Sequence, residues 1–383
     1  MAASNPITNS GSKPAMAVSK KQFTIAGILT TVYGLDELPP HADVACLWLL
    51  HPRLQTQICM EPIANEAITA YNARRSISEA SPGSSRQLGL IAVSFDQRNH
   101  GSREVTPLAN ESWREGNPLH AQDLFSSYRE YTLLISYECP VLYLLSLLDH
   151  LLIQDATDGT ALDTSLLITY LPSYIFPSSE HTITANQVLG VSLGGHAAWN
   201  CIVHDPRITT AIIGIGCPDF VRLMQHRASR SKLQTWTSSD PPGSTFIGSK
   251  DFPTSLLRAV ETWDPAGLLM KEPTEGLWRH SQEKTGESLL ARKLGGKRIL
   301  NLAGGEDKLV PFDCSSPFLH FLGEVVEDES IWGERAPPLV LHHTFDAVGH
   351  EMTEGMIKKA VDFIGDMLES GEEGTRAKMD SKM

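Results

Sequence analysis

Gly190-Val191-Ser192-Leu193-Gly194, running straight on into Gly195 and His196, is the stretch around which the chain is read. Ile183 to Leu189, just before it, include a β-branched, mostly apolar run. Gly194 to His204, just after it, mix small and apolar residues at helical spacing. Ser192 is therefore expected on a sharp turn between a buried strand and a helix. Such a turn forces the serine backbone toward a strained conformation. Glycines two residues before and two residues after remove the side chains that would collide there.

The chain around this turn has 383 residues, enough for one large α/β domain with insertions or for two domains. Hydrophobic residues make up 41 % and charged residues 20 %, an ordinary balance for an enzyme that folds around an apolar core. The net charge of −13 argues against nucleic acid or an anionic membrane surface as the main partner. Cys46, Cys59, Cys139, Cys201, Cys217 and Cys314 are scattered, with no Cys-x-x-Cys pair and no histidines at metal spacing. They are expected to be buried free thiols in a reducing compartment, not a disulfide framework or a metal site. Val141 to Ile153 is the longest apolar stretch. It is too short, and with Ser146, Asp149 and His150 too polar, for a membrane span, so a buried helix is expected there.

Apolar runs that read as strands lie at Phe23-Thr24-Ile25, Ile28 to Tyr33, Val44 to Leu50, Leu88 to Phe95, Ile183 to Leu189, Thr209 to Ile215, Ile299 to Ala303 and Val340 to Phe345. Helical patterns fall between them: Ala64, Ala67, Ile68 and Tyr71 share one face, a long helical region broken at Pro140 covers roughly 121 to 153, and Met356, Ala360, Phe363 and Met367 line a last helix. Strands alternating with helices at this spacing predict an α/β fold, an eight-stranded and mostly parallel sheet with helices on both faces. Residues 218–285 break the alternation and are expected to be a mostly helical cap inserted over the strand ends. Residues 1–21 read as a disordered leader without the apolar core of a secretory signal, and 370–383 as a mobile polar tail. The core then comprises 22–217 and 286–369.

With Gly-x-Ser-x-Gly placed between a strand and a helix, the chain resembles the α/β-hydrolases, whose nucleophile elbow has this form. Two further segments carry the resemblance. Gly304-Gly305-Glu306-Asp307-Lys308-Leu309-Val310-Pro311 resembles the family's acid turn and points to Asp307, with Glu306 and Asp313 as alternative acids. Gly349-His350, after the last strand, resembles the segment that holds the family's base; His342 and His343 within that strand are the alternatives. The order serine, acid, histidine is the family's own. Asp96-Gln97-Arg98-Asn99-His100-Gly101 resembles a structural turn of the same family, and His100 is not nominated as catalytic.

The resemblance implies a serine esterase, lipase or thioesterase with Ser192 as nucleophile, His350 as base and Asp307 as the acid that orients it. The oxyanion donors would be the Leu193 N–H and one N–H of the loop His51-Pro52-Arg53-Leu54. Proline has no N–H, so Arg53 or Leu54 supplies it. Acyl transfer or carbon–carbon bond hydrolysis with the same triad, and a silent ligand-binding member of the fold, are the competing readings. No metal or organic cofactor is implied. The expected partner is a small-molecule ester or thioester, with no nucleic acid and no stable membrane insertion. His51, Arg222 and Arg227 are candidate substrate-binding residues, Arg222 and Arg227 because Arg222, Arg227, Arg230 and Lys232 concentrate cationic charge in an acidic protein. Ser381-Lys382-Met383 resembles the Ser-Lys-Leu peroxisomal address, so a peroxisomal import receptor is an expected partner and the peroxisome the expected location, with the cytoplasm as the alternative. A role in lipid or secondary-metabolite (toxin) metabolism would follow.

Overall fold

A strand apolar at every position must be covered on both faces, because alternate side chains point to opposite sides of a sheet. β3 (Asp43–Leu50) is such a strand. Its Val44, Cys46, Trp48 and Leu50 enter one apolar cluster, and its Ala45, Leu47 and Leu49 enter a second. The computed structural model describes residues 5–7, 17–78, 88–128, 159–270 and 288–380, with 371–380 as backbone only.

β3 sits near the middle of one eight-stranded sheet with β1 (Lys20–Ile25), β2 (Ile28–Tyr33), β4 (Leu88–Phe95), β5 (Thr182–Val191), β6 (Ile208–Gly214), β7 (Arg298–Gly304) and β8 (Leu339–Phe345). The strand order is β1-β2-β4-β3-β5-β6-β7-β8. β2 is antiparallel to both its neighbours, and every pair from β4 to β8 is parallel. The expected α/β sheet, eight-stranded and mostly parallel, is the observed one.

Helices cover both faces. α1 (Glu61–Ser78) joins β3 to β4, α2 (His120–Tyr128) and α3 (Gly159–Ile175) lie between β4 and β5, and α4 (Leu193–His204) follows the elbow. Leu124, Phe125, Leu167 and Trp199 of α2, α3 and α4 pack into the first cluster, and Ile63 and Ala67 of α1 into the second. Between β6 and β7 the described part of the insertion contains α5 (Phe220–Ser231), α6 (Thr254–Trp263) and α7 (Pro265–Leu269). Its Phe220, Leu223, Phe252 and Val260 belong to the same apolar cluster as α4, so this segment is packed onto the core and not set apart from it. α8 (Phe312–Val326) follows β7, and α9 (Glu354–Asp380) follows β8 and lays Met356, Ala360 and Phe363 against the second cluster.

Three expectations need correction or lie elsewhere. The leader read as disordered over 1–21 is ordered at both described parts. Ile7 is buried and bridges Met352, whose N–H donates to the Pro6 carbonyl at 2.7 Å. Ser19 N–H donates to the Glu37 carboxylate at 2.7 Å, and β1 already starts at Lys20. The tail expected to be mobile from 370 continues α9 to Asp380. The stretch 129–158, with most of the expected long helix, the cap residues 271–285 and the terminal Ser381-Lys382-Met383 lie outside the described residues. Among the described residues no helix is long and apolar enough to cross a membrane, and no cluster of ligands fit to hold a metal ion occurs. Cys46, Cys59, Cys201, Cys217 and Cys314 are free thiols.

Candidate active site

The elbow is as tight as its glycines require. Ser192 has φ 56° and ψ −111°, a region L-residues rarely enter, and stands just before α4 without a side-chain hydrogen bond to the helix. A Cβ at Gly190 would lie 1.9 Å from the Gly194 carbonyl oxygen, and one at Gly194 would lie 2.0 Å from that of Leu50. Both are inside atomic contact, so the turn closes only with glycine at each position. The Ser192 N–H donates to the Gly214 carbonyl at 2.8 Å, which fixes the turn to the neighbouring strand.

The three residues from three different strand ends meet. Ser192 Oγ lies 2.9 Å from His350 Nε2, and His350 Nδ1 lies 2.7 Å from Asp307 Oδ2. The other oxygen, Asp307 Oδ1, accepts the N–H groups of Leu309 and Val310, each at 2.8 Å. A carboxylate so placed can only accept, which assigns the histidine proton to Nδ1 and leaves the Nε2 lone pair facing the serine hydroxyl. This is the arrangement in which a serine proton has somewhere to go. The alternative acids Glu306 and Asp313 are exposed, and His342 stacks on Phe312 with ring centres 4.4 Å apart.

The Leu193 N–H is the first of α4, where the helix offers no carbonyl partner. Neither it nor the Arg53 N–H makes a hydrogen bond among the described residues. The loop bearing Arg53 is tied to the elbow, since Gly194 N–H donates to the His51 carbonyl at 3.2 Å. His51 itself is fully buried. Its Nδ1 donates to the Pro52 carbonyl at 2.8 Å, and its Nε2 accepts the Gln97 N–H at 2.9 Å. Both nitrogens are engaged, so His51 joins the ends of β3 and β4 and has none left for a substrate. Arg222 is exposed and paired with Asp219 at 3.1 Å, on the outer side of α5. Of the cationic group on this helix only Arg227 turns inward, toward His120 and the Leu309 carbonyl. Arg230 and Lys232 are exposed at its end.

Asp96 accepts the N–H of Gln57 at 2.7 Å and both the N–H and hydroxyl of Ser102 at 2.8 Å, which makes its turn a structural one. His120 and Tyr128 were not legible as site neighbours. His120 lies 107 positions from its partner Arg227, and no local pattern marks it. Tyr128 packs its ring 5.7 Å from that of His196.

Burial holds several histidines neutral. Burial lowers His196 to about 3, and its ring Nδ1 accepts the Cys217 N–H at 2.9 Å. Burial, reinforced by nearby His100, also lowers His51. In the unfolded chain each takes a proton near pH 6.5. Between that value and the folded one the unfolded state binds more protons, so stability falls as the pH drops below 6.5. His196 alone is expected to remove on the order of 3 kcal/mol by pH 4. A melting temperature that stays level from pH 7 to pH 4 rejects this account.

No protein-family model and no curated protein matches the chain. Among solved structures it is similar to TT1662 from Thermus thermophilus, with 16 % identity and a TM-score of 0.46 over 92 % of this chain and 99 % of that one. It is also similar to the Pyrococcus furiosus esterase Pf2001, with 12 % identity and a TM-score of 0.43 over 96 % and 99 %. The Pyrococcus horikoshii acylaminoacyl peptidase is similar at 12 % identity and a TM-score of 0.45, over 92 % of this chain and 41 % of that one. The architecture is carried by the molecule itself, through the strand order and the glycine-walled turn after β5.

Proposed function

From an α/β-hydrolase fold with serine, histidine and aspartate at its strand ends, we propose that this protein is a serine hydrolase that cleaves a carboxylic ester or thioester through an acyl-enzyme. The observation that carries the proposal is the continuous contact from Ser192 through His350 to Asp307, at 2.9 and 2.7 Å. In this reading Ser192 Oγ bonds to the carbonyl carbon as its proton passes to His350 Nε2. The tetrahedral oxyanion is met by the Leu193 N–H and the Arg53 N–H. The bond to the alkoxide or thiolate breaks, and that group leaves with the proton from His350. Water then attacks the acyl carbon, gives its proton to His350, and the carboxylic acid departs as Ser192 regains its hydrogen. Asp307 remains a carboxylate throughout and stabilises the imidazolium.

The test is turnover of a short-chain 4-nitrophenyl ester together with labelling by a fluorophosphonate. Burst release of nitrophenolate and one equivalent of label support the reading; no turnover and no label overturn it. The peroxisomal address belongs to the same proposal. A fluorescent protein fused ahead of the chain is expected to give punctate signal coincident with a peroxisomal marker, turning diffuse when Ser381-Lys382-Met383 are deleted. Diffuse signal from both forms rejects that part alone.

A further inference from the structure

Several arginines in this protein meet carboxylates. Arg98 and Arg103 meet Asp163 at 3.3 and 2.7 Å, Arg207 meets Asp205 at 2.7 Å, and Arg74 meets Asp362 and Asp366 at 2.9 and 2.7 Å. Arg227 and Arg53, like Arg298 on the Met367 carbonyl, meet none. Among the described residues no carboxylate oxygen lies within ion-pair distance of either. Arg227 donates through one terminal nitrogen to His120 Nε2 at 3.2 Å and through the other to the Leu309 carbonyl at 3.4 Å. Its Nε is buried with no hydrogen-bond partner. Arg53 donates to the Asn110 carbonyl at 2.5 Å.

The two guanidinium groups are linked through one segment, Arg227 to His120 and His120 to the Glu111 carbonyl, and Arg53 to the carbonyl of the adjacent Asn110, near enough for the charge of one to act on the other. Burial, then the charge of Arg53, pulls Arg227 down to about 10. Burial also lowers Arg53, against the weaker pull of Glu111 and Glu115. Both remain cations at neutral pH. His120 completes the group as a neutral base. Its Nδ1 donates to the Glu111 carbonyl at 3.0 Å, which leaves Nε2 to accept from Arg227, and burial with two adjacent cations drives its protonation far down. Glu111 and Glu115 act on Arg53, and Asp307 on Arg227, only from beyond ion-pair distance, and a buried unfilled donor is costly in a folded protein unless a partner arrives to meet it.

Hydrogen-bonded neighbours link the group to the elbow and to Asp307. Leu309, whose carbonyl Arg227 touches, gives its N–H to Asp307. Arg53 lies two residues beyond His51, whose carbonyl takes the Gly194 N–H of the elbow. An anion held here is therefore part of the same small substrate whose carbonyl meets Ser192. The planar fork of arginine matches a carboxylate through two parallel hydrogen bonds.

We infer that Arg227 and Arg53, with His120 orienting Arg227, form a carboxylate-binding subsite, so that the substrate is a half-ester or half-thioester of a dicarboxylic acid. This rests on the hydrolase reading and narrows its substrate class.

The experiment compares two 4-nitrophenyl esters of equal chain length, the adipic acid monoester and the hexanoate. The wild type is expected to favour the acid by tenfold or more in kcat/KM. In Arg227→Gln that preference falls at least tenfold, mainly through KM for the acid, and Arg227→Lys restores part of it. Circular dichroism shows that each variant is folded. In parallel, adipate is added to wild type, Ser192→Ala and Arg227→Gln during thermal melting. Adipate is expected to raise the melting temperature of the first two and not of the third. A preference for the neutral ester, or an equal preference in wild type and Arg227→Gln, overturns the subsite. An enzyme inert to both esters but stabilised by adipate through Arg227 overturns the hydrolase reading and leaves the subsite standing. No adipate stabilisation of an inert protein overturns both.

Discussion

Ser192→Ala is expected to lower ester turnover roughly 10⁴- to 10⁶-fold, mainly in kcat, and to abolish fluorophosphonate labelling. The size follows from what the hydroxyl does. Without Oγ no acyl-enzyme forms, and the Leu193 and Arg53 N–H groups can assist only direct attack by water. Folding should survive, since the Ser192 side chain caps nothing and its backbone bonds to Gly214 and His196 remain. The non-glycine φ of 56° is already tolerated at this position, so alanine adds no new strain. Kinetics with a 4-nitrophenyl ester, beside circular dichroism of both proteins, decide it. Labelling at full strength in the variant would remove Ser192 as the nucleophile.

The second large effect is expected on the fold. Gly194→Ala would set a methyl group 2.0 Å from the Leu50 carbonyl oxygen and 2.9 Å from Leu50 Cβ. Those atoms belong to the end of β3, held between β4 and β5, and cannot retreat without breaking strand pairing. Relief must come from moving the elbow, which also pulls Gly194 from the His51 carbonyl and Ser192 from His350. A loss of roughly 4 kcal/mol or more is expected, with turnover lost in whatever folds. Gly323→Ala is the counterpart, since a methyl group there meets open space within α8. It should leave stability unchanged or raise it by up to about 1 kcal/mol. Thermal melts of the two variants side by side test the contrast, and equal melting temperatures would refute it.

What could be read from the sequence was what a strand end determines locally. Ser192, Asp307 and His350 each follow a strand legible from its apolar residues, and each sits in a turn whose glycines or N–H groups are adjacent in the chain. The sheet was legible for the same reason, because burial on both faces writes itself as continuous apolar residues, as in β3 and β4. The order at Ile7 and at Lys20 was not legible because the leader's composition is polar, while Ile7 finds its partner Met352 far along the sequence. His51 looked like a ligand-facing residue after a strand, but its ring had been claimed by Gln97. In the cationic run of α5, four charges looked equivalent. Helical rotation turns Arg227 inward and leaves Arg222 facing out, and only the tertiary neighbours reveal which is which.

The bridge between Ile7 and Met352 also bears on how the molecule comes into being. A ribosome makes the elbow long before it makes Asp307 or His350, so on a growing chain Ser192 stands without either contact. His350 arrives with the β8 end, and two residues later Met352 takes up the Pro6 carbonyl, which was synthesised well before it. Closure of the sheet, the contacts among Ser192, His350 and Asp307 and the docking of Ile7 thus all wait for the last strand and the turn after it.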